Sequence, residues 1–369
     1  MLAANSIGKE FAVTCFGESH GKCVGVIVDG CPAGLPLTEK DIQKELDKRI
    51  PPKAEIVSGR IEEDIVEVLS GVFEGYTTGA PICALVWNKE AMPSDYDVVR
   101  DLPRPGHADY VARVKYGGFN DYRGGGRFSG RITVAFVMAG AIAKKLLSLF
   151  GVEALAYTTA IGDVKMDRTP TISEIRENTY RNPVRCPHSE YVKAMEKAIL
   201  KAKSEGDSLG GIVECTVLNV PVGVGEPIFD SLDADIAKIL FTVPAVKGVE
   251  FGAGFRASNL KGSENNDAYI IDEGKVATLT NNAGGVLGGL SNGMPITVRV
   301  AIKPTPSIRK EQKTVDLSKM EETTMQIRGR HDPCIVPKAV PVIESAVAII
   351  LADHMIRGGF IPKVLRRQK

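Results

Sequence analysis

Apolar and polar residues alternate along Val213–Val220 and Ile296–Ile302, the two-residue period of strands with one buried and one solvated face. The apolar run Val24–Asp29 predicts a further strand. After Thr38 the period lengthens: Ile42, Leu46 and Ile50 form one stripe of a helix containing DIQKEL (41–46), and Thr38 with Asp41 makes a capping-box-like start. A second such helix contains DIAKIL (235–240). Two more helices, near 131–150 and 338–356, are apolar almost all round and so belong in a core; Lys144, Lys145 and then Gly151 close the first. Strands and helices alternate too irregularly for parallel βαβ winding. The expected fold class is α+β, with two mostly antiparallel sheets enclosing buried central helices. Trp87 ends an apolar strand and is expected in the core. His188 and His354 lie on amphipathic segments and read as structural or solvated.

Glycine and proline carry a second pattern. Residues 71–82 read GVFEGYTTGAPI and residues 285–296 read GVLGGLSNGMPI, matching without a gap at Gly71/Gly285, Val72/Val286, Gly75/Gly289, Gly79/Gly293, Pro81/Pro295 and Ile82/Ile296. Upstream of each copy comes a strand, then Pro32-Ala33-Gly34 or Pro221-Val222-Gly223, then one of the amphipathic helices. Downstream comes a histidine, His107 or His331, and a long apolar helix. The expectation is a single domain over residues 1–369, built of two similar halves at about 8–150 and 207–360 joined by a more polar segment. This is an internally duplicated β-α-α-β sandwich. Gly75 and Gly289, and Gly79 and Gly293, should then share backbone conformations. The loops carrying His107 and His331-Asp332 should sit in equivalent places, each at the start of a buried helix.

Composition narrows the class. Hydrophobic residues make up 44% and charged residues 25% of the 369, which excludes a disordered or fibrous chain. A net charge of +1 argues against a protein that coats polyanions, so no nucleic-acid partner is expected. Seven scattered cysteines without a CxxC pair suit a reducing cytoplasm and show no metal-ligand spacing. The apolar stretches Ile132–Ala143 and Val336–Ala352 are too short, or carry Glu344, so no membrane span is expected, and Met1–Phe11 lacks a signal pattern.

Three histidines lie among glycines and polar residues. In Phe16-Gly17-Glu18-Ser19-His20-Gly21-Lys22, flanking glycines allow a sharp turn that exposes Ser19 and His20. Adjacent residues on extended chain point opposite ways, which speaks against a Ser19–His20 nucleophile–base pair, and GESHG is not the GxSxG elbow. Arg104-Pro105-Gly106-His107-Ala108-Asp109 opens a stretch running to Arg123-Gly124-Gly125-Gly126-Arg127-Phe128-Ser129-Gly130-Arg131. Residues 100–131 hold seven Lys/Arg against three Asp/Glu. Glycines leading into a helix N-terminus, flanked by arginines, suit an anion. The third histidine lies in Arg328-Gly329-Arg330-His331-Asp332, and Lys303-Pro304-Thr305-Pro306-Ser307 ends a strand in a stiff polar loop. Together these residues point to an enzyme that handles a phosphorylated carboxylate, with histidines for proton transfer.

The set FGESHGK (16–22), RPGHADY (104–110), DYRGGGR (121–127), KPTPS (303–307) and GRHDPC (329–334) closely resembles the chorismate synthase family, in order, from residue 5 to about 358. The resemblance implies 1,4-elimination of phosphate from 5-enolpyruvylshikimate 3-phosphate, requiring reduced FMN without net redox change, in a homo-oligomer that is commonly a tetramer. It implies that His20, assisted by Ser19, is the acid that keeps the flavin protonated. By the same resemblance His107 helps phosphate leave, Asp332 accepts a proton, and Ser129 joins the catalytic set. Arg127, Phe128, Ser129, Pro244, Ala245, Gly288, Lys303, Pro304, Thr305, Pro306, Ser307 and Arg330 match flavin contacts. Arg49 matches an arginine for a phosphate of the substrate or of NADPH. Phe128 stands where many members have serine, implying contact by backbone or stacking. Glu55 stands where many have a second arginine, which leaves NADPH at most an indirect reductant.

Overall fold

Ile296–Ile302 is a strand that buries Ile296, Val298, Val300 and Ile302 and turns the residues between them outward, as its alternation requires. In a computed structural model that describes residues 4–52, 56, 64–88, 99–327 and 331–366, such strands form two five-stranded sheets, antiparallel throughout. The chain begins with β1 (Ser6–Ile7), β2 (Ala12–Gly17), β3 (Cys23–Asp29), α1 (Glu39–Asp47) and β4 (Val66–Ser70). A small hairpin, β5 (Val72–Phe73) and β6 (Tyr76–Thr77), leads to β7 (Ile82–Trp87), α2 (Asp109–Lys115) and α3 (Thr133–Ser148). Then follow β8 (Glu153–Ile161), β9 (Val164–Lys165), α4 (Ile172–Asn178), α5 (Ser189–Ser204), β10 (Gly211–Leu218), α6 (Leu232–Thr242), β11 (Val246–Phe251) and α7 (Gly262–Asn265). Two hairpins, β12 (Tyr269–Asp272) with β13 (Lys275–Thr278) and β14 (Val286–Leu287) with β15 (Leu290–Ser291), precede β16 (Ile296–Ile302). A third, β17 (Gln312–Asp316) with β18 (Glu321–Met325), precedes α8 (Val336–Arg357).

The first sheet runs β1-β2-β3-β7-β4 and the second β9-β8-β10-β16-β11. α1 packs on α3, α6 packs on α8, and α3 and α8 pack against each other, so the apolar helices are covered on all sides. Gly140 of α3 faces Ser345 of α8, whose hydroxyl donates to the Pro341 carbonyl at 2.7 Å. Met138, Ile142 and Leu146 are fully buried there, each contributing about 1.5–3 kcal/mol relative to exposure. At the start of α1, the Thr38 N–H and hydroxyl both donate to the Asp41 carboxylate at 2.9 Å.

The two sheets share register as well as order. Val24 pairs with Val86 as Val213 pairs with Val300; Val66 pairs with Val86 as Val249 pairs with Val300; Val13 pairs with Val28 as Ala154 pairs with Val217. Thr77 Oγ1 donates to the Pro32 carbonyl and accepts the Leu35 N–H, and Ser291 Oγ does the same with Pro221 and Val224. Gly75 and Gly289 have φ of 78° and 84°, and Gly79 and Gly293 have 87° and 88°. All four lie in the left-handed region that a side chain disfavours, and this accounts for glycine in both copies.

Other expectations are corrected. β8, expected in the joining segment, is an inner strand of the second sheet, so the segment between β8 and β10 is confined to residues 162–210, carrying β9, α4 and α5. Trp87 is 46% exposed at the end of β7, and Ile50 lies past the end of α1 with its side chain partly in solvent. His188 and His354 are both buried, the structural of the two places expected for them, and His354 Nε2 lies 2.9 Å from Asp235. α8 runs 22 residues and is long and apolar enough to cross a membrane, but 94% of its most apolar window is buried inside the protein. It is a core helix, with Glu344 paired to Lys144.

Candidate active site

The turn between β2 and β3 is closed by Asn88, whose amide donates to the carbonyls of Glu18 and Gly21 at 3.1 and 2.9 Å. His20 is thereby buried against the triple-glycine loop: a methyl group on Gly124 would overlap the His20 ring and lie 3.0 Å from Ser19 Oγ. One residue on, a methyl group on Gly125 would lie 2.8 Å from His107 Cε1. Backbone stripped of side chains thus separates two histidines that are far apart in sequence.

His107 belongs to a tight polar group. Its Nδ1 lies 2.6 Å from Asp109 Oδ1, and Asp109 also accepts from Arg104 Nε and Nη2, each at 2.8 Å. A carboxylate accepts only, so the proton on Nδ1 points at Asp109, and Nε2 is the nitrogen turned away from the carboxylate, 3.4 Å from Arg104 Nη2. Burial alone would raise the Asp109 pKa, but the bonds from Arg104 and His107 outweigh it and hold the carboxyl well below the usual range. Arg104, itself buried, reaches the other half of the molecule through Nη1, 3.3 Å from Ser307 Oγ. Lys303 donates to the Gly106 carbonyl, Thr314 Oγ1 donates to the Pro103 carbonyl at 2.6 Å, and the Leu317 N–H donates to the Asp101 carbonyl at 3.0 Å. The loop after β7 and the loop after β16 are therefore interlocked. Each follows the fourth strand of its sheet. His331 and Asp332 directly precede α8 as expected, whereas α2 and the triple-glycine loop separate His107 from α3.

His331 is held below its ordinary pKa, chiefly by burial and then by Arg104, with Asp332 pulling the other way. Asp332 forms an ion pair with Lys338. Ser208 Oγ holds the Thr305 carbonyl at 2.7 Å, while Thr305 Oγ1 is buried without a partner among the described residues. The Lys303 ammonium is pushed down by burial and by neighbouring Lys247. An orphaned hydroxyl costs roughly 1–3 kcal/mol unless a ligand satisfies it. Together with two cations that repel each other, it suits a phosphate-bearing group.

The family model for chorismate synthase matches residues 11–356. The chain belongs to the chorismate synthase family. It is 53% identical to the chorismate synthase of Dehalococcoides mccartyi, covering 99% of this chain and 100% of that one. It is 53% identical to that of Korarchaeum cryptofilum, over 96% and 98% of the two chains, and 54% identical to that of Methanocaldococcus jannaschii, over 97% of each. A crystal structure of chorismate synthase superposes with a TM-score of 0.75 at 31% identity, over 95% of this chain and 93% of that one.

The other expected site residues divide by place. Arg127 is fastened to the carbonyls of Gly17 and Cys15 at 3.0 and 3.2 Å and to Asn5 Oδ1 at 2.7 Å, so its side chain ties the glycine loop to β2. Phe128 is half-exposed, with its ring 6.5 Å from that of Tyr116, and Ser129 Oγ accepts the Arg131 N–H at 3.2 Å. Ala245, after Pro244, has a φ of 73° and accepts the Lys303 N–H at 2.9 Å, bringing both to the Lys303–Ser307 loop that includes Pro304 and Pro306. Arg49 Nη1 donates to Thr133 Oγ1 at 2.7 Å at the start of α3, and Asp64 bridges Arg49 and Arg131. Gly288 lies in the β14–β15 turn, beside the segment leading into α6, and no described contact joins it to the histidine loops. Arg330 and Glu55 lie outside the described residues. Sequence reasoning assigned no role to Arg104, Asp109 or Lys247. The signal for the first two was a carboxylate two residues after His107 and five after Arg104.

Proposed function

We propose that the protein converts 5-enolpyruvylshikimate 3-phosphate to chorismate by 1,4-elimination of phosphate, with reduced FMN required and no net redox change. The observation that carries this reading is the interlocked pair of loops, in which His107, oriented by Asp109, and the orphaned Thr305 hydroxyl face a region rich in arginine and lysine. The reaction breaks a C–O bond to phosphate and a C–H bond and forms one C=C bond. Arg49 and the neighbouring cations hold the anionic substrate. His107, entering the step as the imidazolium, gives the proton on Nε2 to the departing phosphate and keeps the one on Nδ1 that Asp109 holds in line. Asp332 takes up the proton released from carbon. His20, with Ser19 at its side, holds a proton where the cofactor would lie. Phe128, Ser129, Pro244, Ala245, Gly288, Lys303–Ser307 and Arg330 would hold the cofactor, with Arg127 bracing the loop; reduced FMN, when bound, would supply the electron density that the allylic elimination draws on.

The same reading makes the chain one internally duplicated β-α-α-β unit, a lyase of aromatic amino-acid biosynthesis in the cytoplasm, acting as a homotetramer, with NADPH at most an indirect reductant. Matching registers support the duplication. Anaerobic turnover with and without dithionite-reduced FMN tests the assignment: chorismate should form only with the reduced flavin, and equal rates without it would refute the reading.

A further inference from the structure

The strongest feature that the proposed chemistry does not use is Arg185, in the insertion that the first half lacks. Its side chain is 2% exposed, and among the described residues no carboxylate pairs with it. Its partners are backbone. Nη1 donates to the Tyr180 carbonyl at 3.0 Å, and Nη2 donates to the carbonyls of Lys48 and Ile50 at 2.8 and 3.1 Å. The guanidinium also lies 4.7 Å from the centre of the Tyr180 ring. A buried cation without a counter-ion is costly, and Arg185 is held in a left-handed conformation with φ of 60°, which adds backbone strain. The surroundings enforce both: the Arg185 carbonyl accepts from Thr158 in β8 at 2.9 Å, and its N–H donates to the Asn182 carbonyl at 3.3 Å.

The two carbonyls that share Nη2 flank one residue, Arg49. The carbonyls of the residues before and after Arg49, in the Lys48–Arg49 and Ile50–Pro51 peptide groups, are pinned to a single nitrogen at the C-terminal end of α1, where a cation also complements the helix dipole. We infer that Arg185 is a positioning residue for Arg49, by which the insertion of the second half fixes the backbone that presents a phosphate-binding arginine from the first. This rests on Arg49 contacting an anionic phosphate, as proposed above. The chemistry is the same whether the phosphate belongs to the enolpyruvyl substrate or to NADPH.

Calorimetric titration of the flavin-loaded protein with each of these two ligands, alongside steady-state kinetics, tests the inference on Arg49→Met, Arg185→Met, Arg185→Lys and the double Met variant. Arg185→Met should weaken, by about tenfold, the same ligand that Arg49→Met weakens, raising KM with kcat changed less than about twofold. The double variant should bind no more weakly than Arg49→Met alone, because the two act as one unit. Arg185→Lys, which retains a donor, should fall between wild type and Arg185→Met, and it carries the test if the Met variant does not fold. Affinity losses that multiply in the double variant, or a lowered melting temperature with unchanged affinity, would overturn the inference. If Arg49→Met binds both ligands normally, the underlying reading of Arg49 has failed instead, and the inference falls with it.

Discussion

The two five-stranded sheets share a strand plan and differ in what hangs from it. Strand order, register, the Thr77 and Ser291 hydroxyl bonds and the paired glycine conformations agree between them. The connections do not. Between β2 and β3 the first half spends a short turn on Ser19 and His20, whereas between β8 and β10 the second inserts residues 162–210, with Arg185 among them. Even the outer sheet faces diverge. The register that aligns Phe16, Gly25, Leu85 and Glu67 across the first sheet aligns Tyr157, Glu214, Arg299 and Glu250 across the second, where Tyr157 donates to Glu214 and Arg299 pairs with Glu250. Register and turn geometry are what the scaffold preserves, and loops are where chemistry is free to vary.

That contrast can be broken most visibly at the loops. His107→Ala and His20→Ala should each lower kcat by about 10²–10⁴-fold in stopped assays while substrate affinity stays within severalfold. Variants with wild-type turnover and reduced affinity would make these histidines anion contacts only.

Scaffold positions should answer in stability instead. Alanine at Gly75 or Gly289 meets the same left-handed backbone, costing about 1–2 kcal/mol. Gly75 has open space around the new methyl group, however, whereas at Gly289 it would lie 2.6 Å from Ser231 Cβ. Denaturant midpoints should therefore show Gly289→Ala as the worse by roughly 1–3 kcal/mol. Equal costs would mean that the two halves are packed alike at these turns.

The smallest expected effect concerns pH. His107 is bonded to a carboxylate, whereas burial first and Arg104 second hold the folded pKa of His331 below the ordinary 6.5. Folding thus favours neutral His331: the stabilisation is fully present above pH 6.5 and is lost as pH falls through the lower folded value. Melting temperatures measured from about pH 8 down to about pH 5 should decline less steeply for His331→Gln than for wild type. Parallel declines would show that the burial of His331 carries no linkage.

Much of this was legible in sequence because it depends on local rules. Alternation marks β16, the apolar wrap of 131–150 marks α3, and Gly-Pro spacing marks both copies of the hairpin turn, since the left-handed backbone at Gly75, Gly289, Gly79 and Gly293 favours glycine. β8 escaped because its counterpart β2 shares no punctuating glycine or proline pattern with it, only a place in a sheet. Trp87 was misplaced because strand periodicity does not say where a strand stops being covered. The histidines and the Lys303–Ser307 loop stood out through unusual local composition. Arg104 as the tie between the two loops, and Arg185 as the clamp on Arg49, depend on contacts 203 and up to 137 residues apart, which no local pattern encodes.

The central claim is that loops from both halves build one site. A crystal structure of the protein with FMN and the phosphorylated substrate tests it most directly. The account predicts both ligands lodged together between the Arg104–Asp109 and Gly124–Gly126 segments of the first half and the Lys303–Ser307 segment of the second, with the substrate phosphate near His107 Nε2 and Thr305 Oγ1 taken up by a ligand. Ligands bound against one half alone, with the interlocked loops left untouched, would contradict it.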